Sequence, residues 1–183
     1  MTFSTDNLRT VVHNENGLAA GNRYIVILPS LAGTQLPGGG SAVDPVDRRT
    51  LSTLCTSARI PGKSFNLLDR QIGMEPIKVA NGHTFDNVAL TFYLTNDYSA
   101  KKYFQEWSEC IMSPEPPYLT GFHGNYAKSV TIEQQNRNAE TVYRVELTKA
   151  YPISMSEIEL NNQAQGAALE LTVTFTYSNF LIR

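Results

Sequence analysis

The segment Ala168–Phe180 alternates apolar and polar side chains at every second residue. The apolar members of this alternation are Leu169, Leu171, Val173, Phe175 and Tyr177. The polar members are Glu170, Thr172, Thr174, Thr176 and Ser178. A period of two predicts a β-strand that buries one face and leaves the other in water. Ten residues of strand span about 33 Å, which is long for a globular sheet. The chain must therefore build a sheet with one apolar face and one hydroxyl-rich face.

Further segments also fit strands, and turn residues separate them. The predicted strands are Arg23–Leu28, Leu54–Ile60, Pro76–Ala80, Phe85–Thr95, Lys128–Gln135, Thr141–Ala150, Ile153–Leu160 and a short one at Thr10–Val12. Asn81-Gly82 predicts a hairpin turn, and Asn136–Asn138 joins two strands as a second hairpin. Residues Gln163–Ala167 are expected to turn the chain into its final strand.

One segment, Tyr98–Met112, has the period of a helix. Its apolar side chains recur at three- and four-residue spacing and form one stripe; they are Tyr103, Phe104, Trp107, Cys110 and Ile111. Asn96 or Asp97 is expected to cap its first turn. The sequence therefore predicts a mainly β fold, an antiparallel sandwich or barrel-like sheet with one packed α-helix, in a single domain over residues 1–183.

Charge and composition argue against several classes of function. The chain has 183 residues, of which 17% are charged, and a formal net charge of −2. A surface that binds nucleic acid tightly is usually basic, so this balance argues against one. Residues Met1–Asp6 carry no basic region followed by an apolar run, and no stretch is long and apolar enough for a membrane helix, so no signal peptide or membrane insertion is expected.

The residues that usually carry chemistry are scattered. Cys55 and Cys110 lie far apart and form no metal spacing, so both are expected to be reduced thiols. His13, His83 and His123 stand singly, without a second metal-binding residue at the spacing of a zinc site. No nucleophile-elbow or phosphate-loop motif is complete. We expect no catalytic residue, no metal and no cofactor, and therefore a protein that is not an enzyme.

A Gly/Pro-rich segment, residues 29–47, separates the first strand from the rest of the sheet. It holds Leu36, Pro37, Gly38, Gly39, Gly40 and Ser41 near its centre. Glycine and proline disfavour both helix and strand, so a long loop is predicted. Compact domains rarely keep such a loop without a use, although a disordered insertion has the same composition. Residues 1–22 are polar and mixed, which predicts a flexible or partner-dependent N-terminal arm.

Two non-enzymatic classes fit these features. The abundance of tyrosine and phenylalanine suits a β-sandwich binding module, provided that some of them are exposed at one end of the sheet. Long strands with a low-charge polar face, a long loop and a terminal arm suit a self-assembling protein, whose strand edges are covered by neighbouring copies.

Several motifs, taken in order, resemble the tail tube proteins of contractile-tail bacteriophages. The matching segments are Cys55–Lys63, Ile77–Val88, Leu90–Leu94, Tyr103–Trp107, Leu147–Ser156 and Leu171–Tyr177. In the same order, they are similar to the family's cysteine-to-Pro-Gly-basic segment, its strand and turn before an aromatic-Asp-(Asp/Asn)-Val, and its Leu-Thr-Phe strand. The last three are similar to its aromatic helix ending in tryptophan, its late segment with leucine and then an aromatic residue followed by proline, and its closing strand. The loop at 29–47 and the proline-rich stretch after the helix match no motif of the family.

This resemblance implies a structural virion protein. Family members form hexameric rings that stack into the hollow inner tube of a contractile tail, and the genome is ejected through it. Each subunit gives four strands to a continuous barrel around the lumen. The implied partners are other copies of the chain, the tail sheath protein, baseplate and tail terminator proteins, and DNA that passes without specific binding. The implied location is the virion tail, assembled in the host cytoplasm. A tube initiator or baseplate ring, and the inner tube of a type VI secretion system or tailocin, share the fold and remain alternatives.

Two sets of residues become candidates for the function. The polar set Glu170, Thr172, Thr174, Thr176 and Ser178 carries no positive charge, so it suits a lumen wall along which phosphates slide. The same set also suits the solvent face of an outer sheet. The loop residues Leu36–Ser41 are expected to reach a neighbouring subunit or ring and to gain order on assembly.

Overall fold

The computed structural model describes residues 5–14, 17–72, 75–161 and 168–183. The helices are α1 (Thr5–Asn14), α2 (Arg48–Leu54), α3 (Ser99–Ile111) and α4 (His123–Tyr126). The strands are β1 (Tyr24–Ile27), β2 (Cys55–Ala58), β3 (Lys63–Ile72), β4 (Glu75–Phe85), β5 (Val88–Tyr93), β6 (Lys128–Gln135), β7 (Thr141–Met155), β8 (Glu170–Thr176) and β9 (Asn179–Ile182). The mainly β, antiparallel fold predicted from the sequence is confirmed.

Strand β7 belongs to two halves of one folded sheet. Its first part pairs with β6 on one side and β9 on the other, and Tyr151–Met155 pairs with β8. Strands β5 and β2 continue beyond β8, and β1 lies outside β6. Lys149, at the junction of the two parts, has a left-handed backbone with φ of 52°. A strand that changes sheets needs such a local bend, so Lys149 marks the corner.

The core lies between α3 and the inner faces of the sheet. Leu171, Val173 and Phe175 of β8 are buried, as the alternation predicts. The ring centroids of Phe104 and Phe175 are 5.9 Å apart, and those of Trp107 and Phe175 are 5.7 Å apart. These tilted and edge-on contacts are the ones that aromatic rings prefer. The predicted apolar stripe of the helix is therefore a packing face.

Two buried polar atoms of α3 fix the neighbouring loops. The Trp107 indole Nε1–H donates to the carbonyl oxygen of Tyr126 at 2.8 Å, and the Tyr103 hydroxyl donates to that of Pro29 at 2.6 Å. Each bond satisfies a buried donor and ties one loop to the helix.

The helix occupies Ser99–Ile111, in agreement with the predicted segment, but its predicted cap is wrong. Neither Asn96 nor Asp97 caps the first turn; the N-cap residue is Tyr98, in the left-handed region with φ of 54° and without a side-chain cap bond. The Asp97 carboxylate instead accepts a hydrogen bond from the Thr95 hydroxyl. The Asp97 carboxylate is thus bound within the turn after β5 and does not cap the first turn of α3.

Several strand boundaries differ from the predictions. The predicted strand Ile153–Leu160 is wrong, because β7 runs without a break to Met155 and no strand follows over residues 156–161. The predicted strand Ala168–Phe180 is divided into β8 and β9. The Ser178 amide donates to the Thr148 carbonyl at 3.0 Å, at the point where the chain leaves one half of the sheet for the other. The corner in β7 forces this division, because the final segment pairs with β7 on both sides of the bend.

The predicted turn at Asn81-Gly82 is also wrong. These residues lie inside β4, which pairs with the unpredicted strand β3 in a separate two-stranded sheet. A β-bulge places Asn81 as an extra residue between the pairs Asn66–Gly82 and Leu67–Ala80. Asn-Gly is typical of tight turns, but in this chain it lies at the β-bulge of a long hairpin.

The N-terminal region and the short helices add further differences. The strand expected at Thr10–Val12 is wrong, since these residues belong to α1. Helix α2 was not predicted; the Asp47 side chain accepts from the Arg49 amide at 3.2 Å and caps it. The expected turn at 163–167 lies outside the described residues. Among the described helices, none is long and apolar enough to cross a membrane.

The packing of α3 on β8 yields a first prediction. Phe175→Ala should lower the free energy of unfolding of the unassembled chain by about 3–5 kcal/mol, because it leaves a cavity under two rings of α3. Urea denaturation followed by tryptophan fluorescence measures this loss. Phe122→Ala removes the same ring from a side chain that is 76% exposed, and should change the stability by less than about 0.5 kcal/mol. Equal effects of the two changes would contradict the assignment of the core.

Candidate functional site: the outer face of the four-strand half

The candidate stripe on β8 lies on the face turned away from α3. Thr172, Thr174 and Thr176 are half-buried and Glu170 is exposed, while the residues between them point into the core. Ser178 lies beyond the end of β8, at the crossing to β9, and is exposed. The structure thus places four of the predicted residues on one strand face and separates Ser178 from it.

Neighbouring strands extend this face. The Thr91 and Thr172 hydroxyl oxygens are 3.1 Å apart across β5 and β8, within hydrogen-bonding distance. The Thr56 hydroxyl of β2 donates to the Thr91 carbonyl at 3.3 Å. On the other side of β8, Ser154 of β7 stands opposite Thr174. We call this surface the hydroxyl face; it is the outward side of Cys55–Ala58, Val88–Tyr93, Tyr151–Met155 and Glu170–Thr176.

The hydroxyl face carries almost no charge. Its strand segments contain no lysine, arginine or histidine, and Glu170 is their one acidic residue. The other half of the sheet is charged: Arg144 of β7 pairs with Glu133 of β6 at 2.5 Å, and Arg183 pairs with Glu146 at 3.5 Å. The two halves therefore offer different surfaces, one with hydroxyls and one with ion pairs.

The sequence alone identified only the β8 part of this face. In residues 88–95 the apolar side chains of Val88, Leu90 and Phe92 also alternate with others that include Thr91, but this pattern does not show that β5 lies beside β8. The pairing register supplies that information, with Thr91 opposite Thr172 and Tyr93 opposite Glu170.

The Gly/Pro-rich loop is anchored at its base and exposed at its centre. The Asp44 carboxylate accepts hydrogen bonds from the Ser30 hydroxyl at 2.5 Å and from the Leu31 amide at 2.7 Å. Leu31 and Ala42 are buried. The two ends of the loop are thereby fastened to the core, so the segment is an ordered loop of this structure.

The centre of the loop forms a tight turn. Gln35 and Ser41 form an isolated β-bridge, and the Leu36 amide donates to the Gly40 carbonyl at 3.2 Å. Gly39 and Gly40 have φ of 94° and 96°, a region that L side chains rarely adopt. Residues 38–41 are exposed at the end of this turn, and Leu36 and Pro37 are half-buried.

A groove lies where the end strands β1 and β2 approach without pairing. The Tyr24 hydroxyl donates to the Cys55 carbonyl at 3.1 Å and bridges the two strands. A cavity of about 310 Å³ opens beside it, lined in part by Ala58, Ile60 and Ile132. The sheet is therefore barrel-like, with one open seam.

The described residues contain no group of three or more His, Cys, Asp or Glu side chains placed to hold a metal ion. His83 contacts the Phe85 ring with centroids 4.8 Å apart, and His123 contacts Tyr126 at 5.4 Å.

Comparison with known proteins identifies the family. The model of the phage tail tube protein family matches residues 19–183. This chain belongs to the phage tail tube protein family. The match includes the loop at 29–47 and the stretch after α3, which the sequence motifs had not placed. The matched family is one of structural tail tube proteins.

Curated relatives support this assignment. The tail tube protein gp19 of Enterobacteria phage T4 is 27% identical over 106 residues, which cover 55% of this chain and 64% of the relative. The gp19 protein of phage T6 matches with the same identity and coverage. The match thus spans less than two thirds of the length of these relatives.

Solved structures share the fold at low sequence identity. A chain of the anti-feeding prophage tube terminating cap has a TM-score of 0.62 and 16% identity, with 91% of each chain covered. A chain of the extended sheath-tube complex of the PVC extracellular contractile injection system has a TM-score of 0.60 and 14% identity, covering 100% of this chain and 99% of its own. A chain of the anti-feeding prophage baseplate has a TM-score of 0.57 and 12% identity, covering 91% of this chain and 95% of its own.

The seam yields a second prediction. Burial raises the pKa of the Cys55 thiol from 9.0 to about 11. Only the thiolate reacts with iodoacetamide, so at pH 8 Cys55 of the folded, unassembled chain should be alkylated about 100-fold more slowly than in urea. Peptide mass spectrometry after timed quenching measures the two rates. Because the folded-state pKa is the higher one, the protonated thiol stabilises the fold below pH 9, and this contribution is lost as the pH rises towards 11. Equal alkylation rates in the folded and the urea-unfolded chain would contradict the burial of this thiol.

Proposed function

We propose that this chain forms hexameric rings that stack into the inner tail tube of a contractile phage tail, and that the genome is ejected through that tube. The observation that carries the proposal is the hydroxyl face, which spans four strands without a cation. A row of lysine or arginine side chains would hold DNA by displacing its condensed counterions, and the affinity would grow with each phosphate contact. A wall of hydroxyl groups with one carboxylate avoids that retention.

The strand edges of the same half of the sheet support ring formation. Strand β2 and residues Tyr151–Met155 of β7 are its end strands, and within the described chain neither pairs with another strand on its outer side. Unpaired edges are usually blocked or joined to another chain. Pairing the β2 edge of one copy with the β7 edge of the next repeats one heterologous contact, which closes into a ring. The hydroxyl faces then form one wide barrel, whose interior is an aqueous channel.

The loop residues Leu36, Pro37, Gly38, Gly39, Gly40 and Ser41 are the proposed contact to a neighbouring subunit or ring. Their exposed turn is held by the anchored base of the loop, so it projects at little further cost in ordering. The other proposed partners are the tail sheath, baseplate and tail terminator proteins, together with DNA that passes without specific binding. Assembly takes place in the host cytoplasm, and the product lies in the virion tail. The fold shared with chains of a sheath-tube complex and a tube terminating cap supports these partners.

A second candidate function is that of a tube initiator or baseplate ring, or the inner tube of another contractile injection system. This second candidate is supported by the fold that the protein shares with a chain of the anti-feeding prophage baseplate. Electron microscopy of the purified chain separates the candidates, because a tube protein grows long tubes and an initiator stops at single rings. A chain that stays monomeric at high concentration would overturn both.

The orientation of the hydroxyl face gives a third prediction. A phage whose chain carries Thr172→Lys and Thr174→Lys should assemble tubes but eject DNA poorly, because each copy adds two cations to the wall. Plaque titre and DNA release from purified particles measure the defect.

The matched control is Thr131→Lys, which adds a cation to β6 in the other half of the sheet. It should leave DNA release unchanged. Normal infectivity of the double lysine variant would refute the lumen assignment of the hydroxyl face.

The loop gives a fourth prediction. Deletion of residues 38–41 should shift the equilibrium from tubes towards rings, because it removes the exposed turn and leaves the Asp44 anchor in place. Sedimentation and micrographs at matched concentrations measure tube length and ring content, and circular dichroism verifies that the deleted chain folds. Unchanged tube length and stability would contradict the proposed contact of the loop with a neighbouring subunit or ring.

A further inference from the structure

The hairpin of β3 and β4 is joined to the rest of the chain by two short linkers. Residues 59–62 connect β2 to β3, and residues 86–87 connect β4 to β5; neither linker belongs to a strand. We call the two linkers together the hinge. The Arg59 amide donates to the Ala89 carbonyl over a long 3.4 Å, and Pro61 has no amide hydrogen to donate. The ladder of β2 and β5 is therefore interrupted before the hairpin begins, and the hairpin can turn at this break.

A single hairpin residue is partly buried among those whose exposure is described. The side chains of residues 63–71 and 76–84 are exposed, whereas Phe85, the last residue of β4, is half-buried. Strands β3 and β4 pair only with each other among the described strands. A two-stranded hairpin is at best marginally stable by itself in water. The packing of Phe85 on the rest of the chain is therefore the contact that can keep the hairpin ordered.

Phe85 packs against two aromatic rings from the end of the chain. Its ring centroid lies 5.7 Å from that of Tyr177 and 5.3 Å from that of Phe180, and the latter two centroids are 6.4 Å apart. These separations lie in the range that aromatic pairs prefer. Tyr177 is buried and Phe180 is half-buried. We call Phe85, Tyr177 and Phe180 the ring clamp.

Polar contacts strengthen the attachment at the same point. The Tyr177 hydroxyl donates to the carbonyl oxygen of Asp86 at 2.8 Å, so the clamp also binds the backbone of the hinge. On the hairpin itself, the Lys63 ammonium lies 6.0 Å from the centroid of the Phe85 ring, and the His83 ring lies 4.8 Å from it. A cation at that distance from an aromatic ring is attracted to it. Phe85 is thus held from both the hairpin and the main sheet.

The ring clamp couples the hairpin to the last strand of the fold. Phe180 belongs to β9, where it stands opposite Leu147 of β7. Tyr177 lies in the crossing from β8 to β9. Strand β9 has four residues and pairs with β7 alone among the described strands. Short edge strands and exposed hairpins open at a lower free energy than a buried core does.

We propose that the ring clamp holds the β3–β4 hairpin in one direction, and that its opening lets the hairpin turn at the hinge and lose its order as one unit while the main sheet stays folded. Strand β9 thereby controls the order of a hairpin that is far from it in the sequence. The device works within a single chain and does not depend on the proposed self-assembly.

Hydrogen–deuterium exchange of the unassembled chain, read by peptide mass spectrometry, tests the clamp. Phe180→Ala removes two of the three ring pairs, so the amides of β3 and β4 should exchange about tenfold faster than in the wild type. The amides of β5 and β8 should stay within about twofold of their wild-type rates. Phe180→Tyr keeps the ring and should leave the exchange of the hairpin within about twofold of the wild type.

The matched control is Leu181→Ala, the next residue of the same short strand. Leu181 is exposed and takes no part in the ring clamp, so its truncation should leave the exchange of the hairpin unchanged. Tyr177→Phe removes only the hydroxyl that binds the Asp86 carbonyl and should raise the exchange about threefold. This variant keeps all three rings, so it serves as the test if Phe180→Ala does not fold.

A double-mutant cycle tests whether the two ends of the clamp act together. Phe85→Ala should accelerate the exchange of the hairpin about tenfold, and adding Phe180→Ala should give little further effect because the clamp is already open. Multiplied effects in the double variant would show independent contacts and overturn the clamp. An unchanged hairpin in Phe180→Ala, or an equal effect of Leu181→Ala, would overturn it too. Equal acceleration throughout the chain would overturn the opening of the hairpin as a separate unit.

Discussion

The packing of α3 on the inner face of β8 and β5 determines what every other surface of the chain can do. Phe104 and Trp107 contact Phe175 from the helix side, and Phe104 also contacts Phe92 of β5 at 5.1 Å between ring centroids. Burial of these rings supplies a large hydrophobic contribution. Because successive residues of a strand point to opposite sides, the same contact turns Thr172, Thr174 and Thr91 away from the core. The hydroxyl face is thus a direct consequence of where the helix sits.

Sequence patterns predicted the parts of the fold that have one buried face. The alternation in β8 and the stripe of α3 both report burial on one side, and both were confirmed. Strand β3 could not be found in this way, because Phe65, Leu67 and Leu68 are exposed on both sides of a hairpin that has no core. Helix α2 has a single buried residue, Leu51, so its sequence shows no repeating apolar stripe from which a helix could be predicted.

The predicted boundaries of turns and strands were wrong where strand pairing in the tertiary structure overrides the local preference of the sequence. Asn81-Gly82 has the composition of a turn, yet the long pairing of β3 with β4 absorbs it as a bulge. The division at Ser178 follows from the bend in its partner strand β7, which no local pattern encodes. For the candidate site, the alternation predicted the polar residues of β8, while the neighbours Thr56, Thr91 and Ser154 could be identified only from the sheet register.

The corner at Lys149 has a mechanical consequence. One unbroken backbone runs through both halves of the sheet, so the half that bears hydroxyls and the half that bears ion pairs are joined by covalent bonds as well as by side-chain packing. Sliding one half past the other would require breaking the ladder of β7 on both sides of the bend. The two halves of the sheet are therefore expected to move together as one stiff body.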